Sequence, residues 1–344
     1  MRSLSLPELI NRVEELENTK KDLLVDSTTL TMGTEGDNCY LAVPSGRGKQ
    51  FFRLSDTARQ QLTSRLDIPW NFAERLRLEH PALLDRTVNT LLRNKPEQRL
   101  IRTLSGDTCR AYLSPNYKIL DNGDFLRTVL PLFTQQPDLT LQESYLTDSH
   151  LQMTILQGEQ KNVDVRPGDA VRYGVVLLNS EIGLGSLSVA SFVHRLLCLN
   201  GMIIPESQGY VRRIHLGRRS ADVNDNVGDR SLWYEYSNKI KELTKGDNFP
   251  ILISRIREAA AMPLIKDTEE IVEDLGKRFA LSKEERAKVQ IQYDSNLDRS
   301  LWGILNAVTE VAKTADSIQR RYELQSIGGK LLPQINMPYA QLAA

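Results

Sequence analysis

Residues 174–205 read GVVLLNSEIGLGSLSVASFVHRLLCLNGMIIP. Two apolar, strand-like runs flank a polar, glycine-rich turn, and Asn200-Gly201 closes the stretch before Met202. Residues 171–178 are apolar enough for a strand covered on both faces. EIGLGS is turn chemistry, and residues 187–193 return as a strand or the start of a helix. The Asn-Gly step turns the chain once more into 202–204.

Working outward, residues 99–157 predict an antiparallel sheet with one helix inserted. RLIRTLSGD and CRAYLS alternate apolar and polar residues across a Ser-Gly-Asp turn. LDNGDFLRTVLPLF has helical spacing, and LTLQESYLTDSHLQMTILQ supplies two strands around Thr147 and Asp148. Upstream, LSDTARQQLTSRLDIPWNFAERLRLEHPALLDRTVNTLLRNKP gives three helices, with Pro69 and Pro81 as separators. Residues 26–52 read as short strands, and GTEGDN between 28–32 and 39–43 has hairpin chemistry. SGRGK lacks the spacing of a phosphate loop and is taken as a basic turn. Residues 1–25 predict an amphipathic helix, with Ser5 as cap, Pro7 in the first turn, Glu8 three residues after the cap, and Leu6, Leu9, Ile10, Val13 and Leu16 on one face.

Beyond the acidic stretch ADVNDNVGDR the pattern is helical, with helices expected at 231–243, 250–262, 267–279, 282–291 and 300–324 and a capping box at Ser282 and Glu285. The fold class is therefore α+β: an antiparallel β-sheet core with flanking helices, followed by a C-terminal helical region. The expected divisions are an N-terminal helix and hairpin (1–50), an α+β core (51–220), a helical domain (221–330) and a loose tail (331–344).

Of the 344 residues, 40% are hydrophobic and 26% charged, and Lys+Arg and Asp+Glu both total 44. That composition disfavours disordered and membrane classes, and any polyanion binding must come from local segregation of charge. Three widely spaced cysteines argue against a disulfide framework or a paired-Cys metal site, and no signal peptide or membrane span is evident, so a cytoplasmic protein is expected.

The sharpest charge feature is GYVRRIHLGRRS, where Arg212, Arg213, Arg218 and Arg219 lie within eight residues with no acid among them. Arginine forks pair bidentately with phosphate, and Tyr210 offers a ring for stacking on an unpaired base. A basic loop pairing with acidic residues of the following helices is the competing reading. Arg102, Arg110 and Lys118 lie in or beside the first hairpin of the core, with Tyr112 between them, and Arg102 and Arg110 make a basic stripe if they share a sheet face. Arg195 stands between His194 and Cys198, a trio that suggests a Cys/His nucleophile pair but reads more simply as an interior Cys beside a hydrogen-bonded His.

RAYLS (110–114), LDNGD (120–124), NSE (179–181), the Gly185-Ser186 turn and C-x-NGM (198–202) together resemble a prokaryotic family of phage/plasmid-like proteins of unknown function, found on mobile elements and in phages. The resemblance covers residues 51–219 and implies no settled activity. The arrangement of helices and hairpins with basic residues is also similar, at the level of fold, to single-strand annealing proteins of the Redβ and RecT type. That analogy implies a homo-oligomer holding one DNA strand in a basic groove, as in DNA recombination.

The expectation is then a non-enzymatic protein that binds single-stranded DNA through Arg102, Arg110, Lys118, Arg195, Arg212, Arg213, Arg218 and Arg219, with Tyr112 and Tyr210 for stacking. No catalytic residue, metal or cofactor is assigned. Two alternatives stand beside it: a metal-dependent enzyme acting on nucleic acid through Asp121, Asp124 and Glu181, and a protein-binding module such as an inhibitor of host defence.

Overall fold

The computed structural model describes residues 2–46, 48–204, 210–213, 226–264 and 267–332, with 210–213 and 226–229 described as backbone only. Ser5 and Glu8 form the expected capping box, and Pro7 sits in the first turn of α1 (Leu6–Glu17). The chain then enters a strand that the sequence reading missed, β1 (Lys21–Asp26). β2 (Thr31–Glu35) and β3 (Asn38–Ser45) form the hairpin around GTEGDN, and the basic turn leads from β3 into β4 (Gly48–Leu54). The expected division after residue 50 therefore falls inside β4.

Three helices follow, α2 (Asp56–Arg65), α3 (Trp70–Glu79) and α4 (Pro81–Asn94), and then the hairpin β5 (Gln98–Leu104) and β6 (Thr108–Leu113). These strands form a six-stranded sheet in the order β1-β5-β6-β4-β3-β2, antiparallel except where β4 meets β6. One face is covered by α2–α4, which bury Leu62, Val88 and Leu92 against Leu41, Phe52, Ile101 and Tyr112. On the other face β2, β3 and β4 stay open, with Lys49, Phe51 and Arg53 exposed along β4.

A second, seven-stranded sheet is built from β7 (Thr140–Leu146), β8 (Leu151–Leu156), β9 (Val163–Arg166), β10 (Asp169–Asn179), β11 (Leu187–Arg195), β12 (Asn200–Ile204) and β13 (Tyr210–Arg213). Its spine is β12-β11-β10-β8-β7, all antiparallel; β9 pairs with the start of β10, and β13 continues along the β11 edge beyond β12. The stretch that opened the sequence reading supplies three consecutive strands of this sheet, β10, β11 and the end strand β12, and 187–193 is strand rather than helix. Val175 and Leu177 face α1 and α5 (Asn122–Gln135), whereas Val176 and Leu178 face the C-terminal helices. This two-sided burial is why the run has no polar alternation.

The C-terminal helices are α6 (Asn226–Lys245), α7 (Phe249–Ala261), α8 (Thr268–Phe279), α9 (Lys283–Ser295), α10 (Leu301–Val311) and α11 (Ile318–Leu331). The single helix expected over 300–324 is broken, because Ser317 caps a new helix by accepting from the Arg320 N–H at 3.1 Å. Nor do these helices pack apart from the sheet. α6 joins α1 and α5 over Val175 and Leu177, Trp302, Val308 and Ile327 pack with Tyr173, Val193 and Met202 further along these strands, and Tyr322 of α11 packs with Val176 and Phe192 from the opposite face, giving three layers. Among the described residues, no helix is long and apolar enough to cross a membrane.

Ser282 accepts from the Glu285 N–H at 3.1 Å and Glu285 accepts from the Ser282 N–H at 2.8 Å, as the capping box required. Glu285 also takes Arg320 of α11 in two bonds of 2.7 Å. Ser282→Ala should lower stability by about 1 kcal/mol, read as a shift in urea midpoint without a change in slope.

Candidate functional site

The quoted motifs come together at one place, where the six-stranded sheet meets the turn after β10. RAYLS begins inside β6, LDNGD starts α5, and NSE ends β10. The β5–β6 ladder skips a residue, since Arg102 pairs with Ala111 but Thr103 pairs with Cys109. Arg110 is the extra residue of this bulge, which turns its side chain to the face of Arg102 and away from the helices. The two arginines do share a sheet face, as the stripe reading required, but that face is interior.

Glu181 is the hub, with only 4% of its side chain exposed. One carboxylate oxygen accepts from Arg110 at 2.7 Å; the other accepts from the Asn122 backbone N–H at 2.7 Å and from Lys20. Arg102, 1% exposed, donates to the Glu181 carbonyl at 2.7 Å, to Asp121 at 2.7 Å and to both oxygens of Asp22 at 2.8 and 3.2 Å. Lys20, Arg102 and Arg110 thus face Asp22, Asp121 and Glu181, with Glu17 reaching Lys20 from the side. Asn179 completes the knot by donating to the Leu120 carbonyl and the Asn122 side chain, each at 2.9 Å.

Burial alone raises a carboxyl pKa, yet Arg110, Lys20 and the Asn122 N–H hold Glu181 down at about 2. For Asp121 burial prevails over the opposing pull of Arg102, and its pKa is raised. Burial disfavours the Arg102 charge, but Asp121 and Asp22 outweigh it and keep the guanidinium ionised.

The Gly-x-Gly turn is equally committed. Gly183 has φ +79°, a left-handed conformation suited to glycine, and its N–H donates to the Tyr117 hydroxyl at 3.1 Å. Tyr117 in turn donates to the Ser180 carbonyl, Leu184 N–H reaches the Ser180 hydroxyl at 3.3 Å, and Gln61 of α2 donates to the Ile182 carbonyl at 2.7 Å. The Gly183 and Leu184 N–H groups, which a phosphate would need, are occupied by the protein itself.

Several expected binding residues therefore change role. Arg102 and Arg110 are buried in ion pairs and present no charge to a groove. Tyr112 is buried at 1% beneath α2–α4 with the Arg99 guanidinium 5.7 Å from its ring centre, so it offers no stacking face. Arg195 is also interior: it grips both oxygens of Asp169 at 2.6 and 2.9 Å, and Trp302 of α10 donates to the same carboxylate at 2.9 Å. Lys118 is half-buried. Tyr210, Arg212 and Arg213 lie on β13, known as backbone only, and Arg218 and Arg219 lie outside the described residues.

His194 stacks on Phe192, and burial lowers its pKa to about 4. Cys198 is half-buried beside Arg195, which donates to its Sγ at 3.5 Å, and no histidine contact to that sulfur is found among the described residues. Cys39 and Cys109 are buried and free, and burial pushes the Cys109 thiol up to about 12. Among the described residues no group of three or more His, Cys, Asp or Glu side chains is placed to hold a metal ion. The sequence reading missed Lys20 and Asp22; LENTKKDLLVD carries alternation too short to separate a strand from the end of the preceding helix.

A family model described as a domain of unknown function (DUF932) matches residues 111–325, well over half of the chain, and the chain belongs to that family. No curated protein and no solved structure matches it. The match begins inside β6 and runs into α11, so the family unit holds the whole seven-stranded sheet with helices from both faces. Most of the six-stranded sheet and α2–α4 precede it.

Proposed function

We propose that this protein binds single-stranded DNA without catalysing a reaction on it. The observation that carries the reading is the position of the basic segment: β13 continues the β11 edge beyond β12, pairing Arg212 with Ser188 and Arg213 with Leu187. An edge strand has no partner on its far side, and this one leads into His215, Arg218 and Arg219. The arginines buried elsewhere sharpen the assignment, because Arg102, Arg110 and Arg195 are spent on internal carboxylates and leave this segment as the concentrated basic stretch. Asp121 and Glu181 are held by Arg102, Arg110 and Lys20, which argues against a metal-dependent nuclease built on them. Strand annealing by a cytoplasmic homo-oligomer, in a phage or plasmid setting, is the extended form of this proposal and follows from the resemblance to single-strand annealing proteins.

Replacing Arg212, Arg213, Arg218 and Arg219 by alanine should weaken binding to an oligo-dT strand and flatten the salt dependence. Each lost phosphate contact removes about 0.7 from the slope of log affinity against log salt, so four remove about 3. A gel-shift series between low and moderate salt measures this. Absence of binding by the unaltered protein at low salt, or an unchanged slope in the variant, overturns the proposal.

A further inference from the structure

The open face of the six-stranded sheet presents exposed basic and aromatic side chains. In β4, Lys49, Phe51 and Arg53 alternate onto the face away from α2–α4, because the intervening Phe52 and Leu54 are buried against those helices. Register sets Tyr40 of β3 opposite Arg53, Ala42 opposite Phe51 and Pro44 opposite Lys49. On β2, Thr31 lies beside Ala42 and Gly33 beside Tyr40. Phe51 is 64% exposed. Directly opposed residues lie about 5 Å apart and diagonal ones about 7–8 Å, so Tyr40 is within aromatic reach of Phe51 across the pair.

The charges on this face are of one kind along β3 and β4. Among the described residues Arg53 makes no ion pair, and the Lys49 ammonium has no carboxylate partner and donates to the Thr31 hydroxyl at 3.3 Å. The one carboxylate in the same set of alternating positions is Glu35, at the far end of β2. By contrast, the buried or partly buried Arg102, Arg110, Arg195 and Arg320 are each paired with a carboxylate. An exposed phenyl ring between two unpaired cations, each two residues away along a strand, combines a base-stacking platform with phosphate neutralisation. Paired bases in a duplex do not expose the faces that such a ring stacks on, so the surface fits an unpaired strand.

We infer that the β3–β4 face, through Phe51 and Tyr40 flanked by Lys49 and Arg53, binds a single-stranded nucleic acid by stacking its bases and pairing its phosphates. The ligand class rests on the reading given under Proposed function, but the site shares no residue with the basic segment. β4 also shows the signal in sequence: GKQFFRL places a basic residue, an aromatic and a second basic residue on one face at period two.

The test is fluorescence anisotropy with labelled oligo-dT and oligo-rU and an unlabelled duplex as competitor, comparing the full chain with Phe51→Ala, Phe51→Trp, Lys49→Ala/Arg53→Ala and the four-arginine variant. Phe51→Ala should weaken binding about tenfold or more and Phe51→Trp should retain it, as one stacked base contributes. The double cation variant should bind more weakly, with its salt slope reduced by about 1.4, and the duplex should compete poorly. Phe51 is exposed, so an unchanged melting temperature checks that its variants fold. If Phe51→Ala binds as the parent does, the inference fails, even where the four-arginine variant is defective. If only the four-arginine variant binds normally, this face stands and the edge-strand assignment falls. Failure of the parent to bind either strand overturns both. Normal binding by Phe51→Ala together with loss of a dimer in light scattering would identify the face as a self-association surface and overturn the inference. The two probes separate DNA from RNA, which share the chemistry recognised here.

Discussion

Glu181→Ala is expected to destabilise the protein by about 3–5 kcal/mol, the usual consequence of removing one partner from a buried ion pair. The side chain answers Arg110, Lys20 and the Asn122 N–H together, and Asn122 is the first residue of α5. Without the carboxylate, Arg110 loses its carboxylate partner, Lys20 keeps only Glu17 among the described residues, and a helix start loses an acceptor. Chemical unfolding followed by the fluorescence of Trp70, Trp233 and Trp302 measures the loss; a change below about 1 kcal/mol would mean that the cluster is solvated and structurally idle. Glu181→Gln keeps an acceptor for Asn122 and should fall between the two. The pH dependence has a definite sign. Glu181 titrates near 2 in the folded protein against an ordinary 4.5. Its contribution is therefore complete above 4.5 and is lost as pH falls towards 2, because the unfolded chain takes up the proton first. Asp121 acts in the opposite sense: its raised pKa means that ionisation weakens the fold as pH rises, and acidification returns that part. Glu181→Gln should accordingly flatten the acid limb of stability between pH 4.5 and 2.

The elements were legible in sequence where periodicity and caps agreed. Ser5 with Glu8, Ser282 with Glu285, Pro81 at the start of α4 and the Ser-Gly-Asp turn between β5 and β6 all act locally, so one chain segment contains the whole signal. The apolar run of β10 also announced its two-sided burial. What could not be read was long-range. Nothing near Arg102 in sequence indicates that Asp22 and Asp121 meet it, 80 and 19 residues away. Nothing near Arg110 indicates that a skipped register turns it onto Glu181. An arginine in a strand looks the same in sequence whether its partner is a phosphate or a distant carboxylate. Burial separates them, and burial depends on what the rest of the chain places above the strand.

This difference also explains why the candidate surface moved. The expected stripe was drawn on β5 and β6, whose outer face is closed by the turn at Ile182 and by Tyr117. The same sheet remains open over the next three strands, β4, β3 and β2. There the aromatic and basic residues face outward because no described element packs over them. One sheet thus has a capped half, whose charges hold it to the family unit, and an open half, where Lys49 and Arg53 make no ion pair among the described residues.

Arg195→Met should be the second severe change, costing about 3–5 kcal/mol, because among the described residues the Arg195 guanidinium is the cation paired with Asp169. Asp169 begins β10 and Trp302 lies in the first turn of α10, so the pair fastens the C-terminal helices to the sheet. If the role is structural, replacing both partners by apolar residues should recover much of the loss. Arg195→Met with Asp169→Leu removes both charges and leaves the Trp302 indole N–H without its acceptor, a residual cost of about 1–3 kcal/mol. Adding Trp302→Phe should reduce that remainder, offset in part by the smaller ring. Denaturant midpoints for the single, double and triple variants test the sequence of effects. A phosphate-binding arginine predicts the reverse pattern, with Arg195→Met neutral to folding and a reduced salt slope for oligo-dT, and that result would return Arg195 to the nucleic-acid surface. The buried geometry predicts an unchanged slope at temperatures where the variant is folded, since a side chain gripping a carboxylate inside the molecule releases no counterion from DNA.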